Sequence, residues 1–233
     1  GLPRAGLTGR PGSAPDLVYA PSVQDMYLDG PPQVTVDPGA LGQRFEGAIR
    51  PGHFGGVLTV VLKLLRRTGA TAAVFGQKDA QQLAAIRRMN SDLDLGVEII
   101  AVPTRREADG LALSSRNGYL SAAQRRAALA LPRAIEAGAA AAAAGARPDA
   151  VRRAALGALA ALGAGPGLAR PEYLDLVDPA TFEPVGPDWA GPAVLIGALD
   201  AGPARLIDNA PVAIAPPPPR QPQLPNPPRP RPG

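Results

Sequence analysis

No cysteine occurs in the 233 residues. This excludes a disulfide framework, a thiolate metal site and a cysteine nucleophile, and it fits the cytoplasmic location expected for the chain. Histidine occurs once, as His53, so neither a zinc site nor a paired-histidine site can be built from it. Aromatic residues are 4% of the total, whereas a nucleic-acid face interleaves aromatics with clustered basic residues. The net charge of +4 is modest, and much of it lies in Arg4 and Arg10 near the start and in Arg220, Arg229 and Arg231 near the end. Nucleic acid is therefore not an expected partner. Nor is a membrane: no apolar run reaches the roughly eighteen residues a spanning helix needs, and the alanine-rich stretch 137–146 is too short and too weakly apolar.

Signature loops are missing too. There is no G-x-x-x-x-G-K-[ST] phosphate loop, no G-x-G-x-x-G fingerprint and no G-x-S-x-G elbow. The first residue is Gly1, and no charged start, apolar centre and small-residue cleavage site follows it, so the sequence reads as processed or cut.

What is present has a clear order. Residues 1–14 are rich in Gly and Pro and show no period, so an irregular segment is expected there. "DLVYAP" (16–21) reads as a short buried strand and "QVTVDPG" (33–39) as a second, closed by Pro38 and Gly39. From Gly55 to Arg67, Val57, Val60, Val61, Leu64 and Leu65 make one stripe of an amphipathic helix. "AAVFG" (72–76) then reads as a strand, Leu83, Ile86, Met89 and Leu93 as the buried face of a helix, and "VEIIAVP" (97–103) as another strand. Strand, helix and strand in this rhythm imply a parallel sheet, with strands buried on both faces.

After the Asp109-Gly110 turn the texture changes. Ser121 with Gln124 is a capping-box signal, Pro132 is expected to kink or break that helix after about ten residues, and a further helix is expected from Pro148 to Leu162. "EYLDLVD", "AVLIGALD" and "ARLIDNAPVAI" read as strands, the last two joined by "AGP" as a hairpin. The expected fold class is thus α/β followed by a small α+β part. A Rossmann-like remainder spans 15–113, an α+β lid spans 114–215, and a disordered, polyproline-like tail runs from 216 to 233.

Two loops attract attention as anion sites. In "FGQKDAQQL" (75–83), Lys78 and Asp79 stand where a strand ends and a helix begins, with Gly76 free of a side chain. Helix N-terminal amides and an ammonium attract phosphate oxygens, and an adjacent Asp can hold a metal or a ribose hydroxyl. An Asp complementing the helix dipole beside a solvated Lys explains the same residues. "LSSRN" (113–117) sets two hydroxyls beside a guanidinium, which suits phosphate but also suits a polar interdomain linker. Arg50, before Pro51, is within reach of an anion, while His53 beside Phe54 reads as structural.

The order of "DLVYAPSVQDMY", "FEGAIRPGHFGGVLTVVLKLL", "FGQKDAQQLAAIRRM", "VPTRREADGLALSSRNGYLS", "YLDLVD" and "LIDNAPVAI" resembles the pantothenate synthetase family from about Pro15 to Ile214. The resemblance implies a nucleotidylyl-transferase type of Rossmann-like domain and an acid–amino-acid ligase. It would join pantoate to β-alanine through a pantoyl adenylate, releasing diphosphate and AMP, with ATP as substrate and Mg²⁺ as cofactor. It also implies a homodimer. By the same resemblance Gly76, Gln77, Lys78 and Asp79 line the ATP site, Arg105, Leu113, Ser114, Ser115 and Arg116 complete it, and Gln82 hydrogen-bonds pantoate. Lys78 and Arg116 are the residues expected to act on the phosphates during catalysis.

Departures from the family pattern are Gln77 for Glu, Ala80 for an aromatic and Arg105 for Val. The family's Met-Gly-x-Leu-His-x-Gly-His and Asn-Pro-x-Gln-Phe segments do not occur in these residues. Half the nucleotide cleft is therefore expected to be missing and the activity of the chain impaired. The alternative is a noncatalytic remnant that binds nucleotide weakly or serves as an interaction module.

Overall fold

The computed structural model describes residues 15, 17–28, 30–161 and 169–216. The expected irregular segment 1–14 and almost all of the Pro-rich tail lie outside the described residues.

The first described stretch departs from expectation. Residues 17–21 belong to no strand and 17–20 are exposed, and a short helix α1 (Val23–Met26) follows, capped by Ser22 and Asp25 in a reciprocal box. "QVTVDPG" is not a strand either: Val34 is 87% exposed, and the Val36 amide donates to Thr59 Oγ1 at 2.9 Å. Alternating Val residues need a neighbouring strand to become a ladder, and none of the described strands lies beside them. A tight turn (Gly39–Gln43) and helix α2 (Glu46–Ile49) lead into α3 (His53–Thr68).

Helix α3 forms where expected, but its buried face runs through Phe54, Leu58 and Leu65, with Val61 and Leu62 against the same cluster, and leaves Val57, Val60 and Leu64 outside it. The helix ends at Gly69, whose φ of 62° is the left-handed turn that closes a helix without a Cβ penalty. Strand β1 (Ala72–Gly76), helix α4 (Ala80–Asp92) and strand β2 (Glu98–Val102) form one crossover unit, with β1 and β2 parallel and Val74 paired to Ile100. Ala73, Phe75 and Ile99 face Leu58 and Leu65 of α3 and Ile86 and Met89 of α4 in one apolar cluster. Leu93 does not join them; it falls at the C-cap of α4 and is 48% exposed. The opposite sheet face, with Val74, Ile100 and Val102, is exposed, so the strands are covered on one side rather than two.

The second half begins with α5 (Ala122–Ala128), which carries the Ser121–Gln124 capping box. It ends after seven residues, and α6 (Ala130–Ala143) takes Pro132 into its first turn, where no amide donor is needed. Helix α7 (Pro148–Ala161) starts at Pro148. Strands β3 (Arg170–Val177), β4 (Gly191–Asp200) and β5 (Arg205–Ile214) form an antiparallel sheet in that order. Its apolar face packs on α6 and α7 through Leu131, Ile135, Val151, Leu176, Leu195 and Leu199. Ile196 and Val194 of β4 point the other way, into the cluster beneath α4, and so join the two halves.

Candidate active site

The carboxyl end of β1 feeds a single tight turn, Gln77–Asp79, directly into α4. The Asp79 side chain makes no cap hydrogen bond to the helix. The turn is held from below by Asn209 of β5, whose Nδ2 donates to Gln77 O and Lys78 O, each at 2.9 Å.

Lys78, Asp79 and Gln82 line a cleft whose opposite wall is Arg50 and His53, with Glu46 and Tyr173 at its side. Lys78 also lines a second, smaller recess with Ser114, Asn117 and Asp208. The loops at 76–82 and 113–117 thus meet at Lys78. Ser114 Oγ accepts from Arg116 N at 3.3 Å and starts the short helical turn Ser115–Tyr119. Ser115 and Arg116 are exposed beside this recess. Leu113 is exposed, and its amide donates to Arg105 O at 2.8 Å, so Arg105 is placed by its backbone while its side chain faces solvent. Gly76 is exposed with nothing within 4 Å of where a Cβ would stand. Gln77 turns away from Lys78 and lines a different hollow with Leu83, Arg87 and Pro211.

His53 opens α3. Arg50 Nη1 stands 3.1 Å from its Nε2, and an arginine donates and never accepts, so the imidazole proton belongs on Nδ1. Burial lowers the His53 pKa from its ordinary value, and the nearby charges of Arg50 and, more weakly, Arg116 lower it further against Glu46 and Asp79. The ring is therefore neutral at pH 7, and the positive charge around the cleft comes from Lys78, Arg50 and Arg116.

Sequence reasoning missed the groups that hold this cleft. Glu46 accepts from Tyr173 OH at 2.7 Å and from Arg205 Nη2 at 2.6 Å, and Arg205 also pairs with Glu172. Buried Gln81 accepts from Glu46 N at 3.0 Å and donates to Leu41 O and Arg44 O at 2.8 and 2.9 Å. Phe45 adopts φ 47°, strained for a bulky residue, with its ring centroid 5.1 Å from Tyr173 and 5.9 Å from Phe182. One signal was visible: Asp208-Asn209 is a polar pair inside the apolar run "LIDNAPV", and both are buried. Buried polar side chains in a strand need partners, so the pair announces contacts to other elements.

A parallel sheet with a cationic cleft at its strand carboxyl ends, backed by an antiparallel subdomain, defines the class: α/β proteins that bind anionic ligands at that edge. Within that class the chain belongs to the pantoate-beta-alanine ligase family, whose profile matches residues 11–211. It is 56% identical over 200 residues to the pantothenate synthetase of Salinispora arenicola, covering 86% of this chain and 69% of that protein. The pantothenate synthetase of Thermobifida fusca is 52% identical over 204 residues, covering 85% and 68%. Among solved structures, pantothenate synthetase from Thermus thermophilus superposes with a TM-score of 0.75 at 46% identity, over 84% of this chain and 69% of that one. Pantoate-beta-alanine ligase from Francisella tularensis, solved with beta-gamma ATP and beta-alanine, gives 0.57 at 29% identity, over 80% and 61%. The family is one of acid–amino-acid ligases that join pantoate to β-alanine in pantothenate biosynthesis.

Proposed function

We infer that the cleft beside Lys78 takes ATP and pantoate, and that ligation runs through a pantoyl adenylate. In the first step a pantoate carboxylate oxygen attacks the α-phosphorus, the bond to the β-phosphate breaks and diphosphate leaves. In the second, the β-alanine nitrogen attacks the acyl carbon, AMP departs with the carboxylate oxygen and the nitrogen loses a proton. The observation that carries this reading is the meeting of Lys78 and Ser114 in one recess at the N-terminus of α4, with Gln82 in the adjoining cleft.

A carboxylate attacks a polyanion only when cations screen the charge and fix the approach, so positioning and electrostatics supply most of the rate. Lys78 and Arg116 neutralise the phosphates, with Arg50 adding charge across the cleft. Gly76 and Asp79, Arg105 and Gln77 through their backbones, and Leu113, Ser114 and Ser115 complete the nucleotide side, the Gln77 side chain lining the other hollow. Gln82, one helical turn past Lys78, orients pantoate.

Among the described residues no cluster of three or more His, Asp or Glu forms a metal cage. Mg²⁺ needs none, since it binds through one or two carboxylates together with substrate phosphates. Asp79 suits that role: it is exposed beside Lys78 and makes no hydrogen bond or ion pair among the described residues. The ion would screen phosphate charge.

In the same reading residues 114–215 act as the lid over 15–113, and the protein works as a cytoplasmic homodimer, both resting on the resemblance. The family's transition-state histidine pair is not among these residues, which contain one histidine. Losing such donors costs roughly 10³-fold, so the chain by itself should bind ATP and release diphosphate slowly. The test mixes the chain with ATP, Mg²⁺, pantoate and β-alanine, and follows both ATP binding and diphosphate release. Saturable ATP binding that Lys78→Ala weakens supports the reading. No ATP binding by the unaltered chain overturns it, and binding with no detectable diphosphate makes the chain a nucleotide-binding remnant.

A further inference from the structure

The geometry points to Asp208-Asn209 of β5 as a clasp that sets the distance between the two loops of the nucleotide site, a positioning role that rests on the ATP reading above. The two side chains grip different elements. Asn209 Nδ2 donates to Gln77 O and Lys78 O at 2.9 Å each, so it fixes the turn that presents Lys78. Asp208 accepts a bidentate pair from Arg106, at 2.7 Å from Nη1 and 3.0 Å from Nη2. Arg106 belongs to the hairpin 105–113, closed by Glu107 N to Leu111 O and Leu113 N to Arg105 O.

From that hairpin the grip extends to the serine loop. Glu107 Oε1 accepts from Asn117 Nδ2 at 2.6 Å, the same Nδ2 donates to Ala112 O at 3.1 Å, and Asn117 N donates to Ser114 O at 3.1 Å. Two adjacent residues of one strand therefore hold both the lysine turn and, through Arg106 and Asn117, the Ser114–Arg116 loop. The pair is also joined along the strand, with the Asn209 backbone amide donating to Asp208 Oδ1 at 2.8 Å, so the Asp208 carboxylate is anchored to the peptide unit that carries Asn209. Strand β5 pairs with β4 along its whole length, from Arg205 to Ile214, which gives the clasp a rigid base, and a bidentate guanidinium–carboxylate pair fixes direction as well as distance. Phosphate affinity depends on donors on both loops being at the right separation, so loosening the clasp should cost affinity although neither residue carries a positive charge to the ligand.

The test uses Asn209→Leu, close in size and neutral, and Arg152→Leu as a control. Arg152 makes an ion pair with Asp175 and donates to Leu176 O and Val185 O, on the α7 side of the same sheet. Hydrogen exchange on the ligand-free full chain is read first. Asn209→Leu should raise exchange in 77–80 and also in 105–117, whereas Arg152→Leu should leave both segments as they were. ATP affinity, measured on the folded fraction, should fall about 10-fold in Asn209→Leu and stay unchanged in Arg152→Leu, a loss the size of one hydrogen-bonded contact. If Asn209→Leu fails to fold, Arg106→Lys answers the same question from the other side of the clasp, since an ammonium cannot reproduce the bidentate pair. Exchange confined to one loop, or equal affinity loss in the control, overturns the clasp. Failure of the unaltered chain to bind ATP would instead sink the nucleotide reading, and the exchange result would still decide whether the two loops are coupled.

Discussion

At the scale of single residues, the groups that shape the cleft are those whose charges are already spent. Glu46 lies beside the candidate phosphate site, yet Arg205 and Tyr173 both bond to it, so it acts as a brace for the cleft wall. Removing Arg205 leaves Glu46 and Glu172 without their shared cation. Breaking a partly buried pair from one side costs about 3 kcal/mol, so Arg205→Met should lower unfolding free energy by that amount in urea titrations at pH 7. Tyr173 adds a pH signature. Burial, and then Glu46, raise its pKa far above the ordinary phenol value. A raised folded pKa gives stability that is complete below the unfolded value near 10 and is lost as pH rises through the folded one. The unaltered chain should therefore lose more stability between pH 8 and pH 11 than Tyr173→Phe does, and equal losses would contradict the buried-phenol geometry. None of this was legible beforehand. Glu46, Tyr173 and Arg205 lie more than 30 residues apart, and local pattern does not report which distant strand brings an acceptor to a donor.

At the scale of elements, legibility follows how local the cause is. The existence of α3, the capping box on α5, Pro148 at the start of α7 and the β4–β5 hairpin are settled by neighbours within a few residues, and each was readable, whereas the buried face of α3, through Leu58 rather than Val57, Val60 and Leu64, is set by what packs on it. Residues 16–21 and 33–39 carry similar apolar patterns, but a strand also needs a partner, and periodicity cannot supply one. Packing between elements was equally hidden. Gly138 of α6 reads as a weak helix former, yet a Cβ there would stand 2.4 Å from Leu195 Cδ2 and 3.1 Å from Ala155 Cβ. It is the point where α6 closes on β4 and α7. Gly138→Ala should therefore destabilise by about 1–3 kcal/mol despite its better helix propensity, as thermal unfolding would reveal. Helix α5 is tied to the 105–113 hairpin by Arg125, which reaches Asp109 at 2.7 Å and Glu107 at 2.5 Å. Hydrogen bonds from Asn117 and Arg125 lower the Glu107 pKa, and Arg125 lowers that of Asp109. Depressed carboxylate values mean stability that is present above the unfolded values near 4 and lost as pH falls through the folded ones. Arg125→Met should therefore be less stable than the unaltered chain at pH 6, with the difference shrinking at pH 3.

At the scale of the whole molecule, the sheet and its cover do not match. Parallel sheets are stable when both faces are covered, and two-stranded sheets are marginal alone. Here α3 and α4 cover one face of β1 and β2, while Val74, its register partner Ile100 and neighbouring Val102 are exposed on the other, Val74 to 62%. The antiparallel half has no such deficit, because α6 and α7 cover the side of its sheet that carries the apolar core. Stability should accordingly be uneven, with β3–β5 and the α6–α7 pair opening last and β1–β2 first in hydrogen exchange. Exposed apolar strands with free edges also recruit other chains. At tens of micromolar the chain should bind a hydrophobic dye and scatter light increasingly with concentration. Placing charges on the bare face, as Val74→Lys with Ile100→Lys, should suppress both signals while leaving the near-ultraviolet spectrum of Trp189 unchanged, since that residue lies against the other core. A chain that stays monomeric and dye-free before those changes would mean that the open face is covered in solution, and the site at its carboxyl edge would then have a wall that these described residues do not supply.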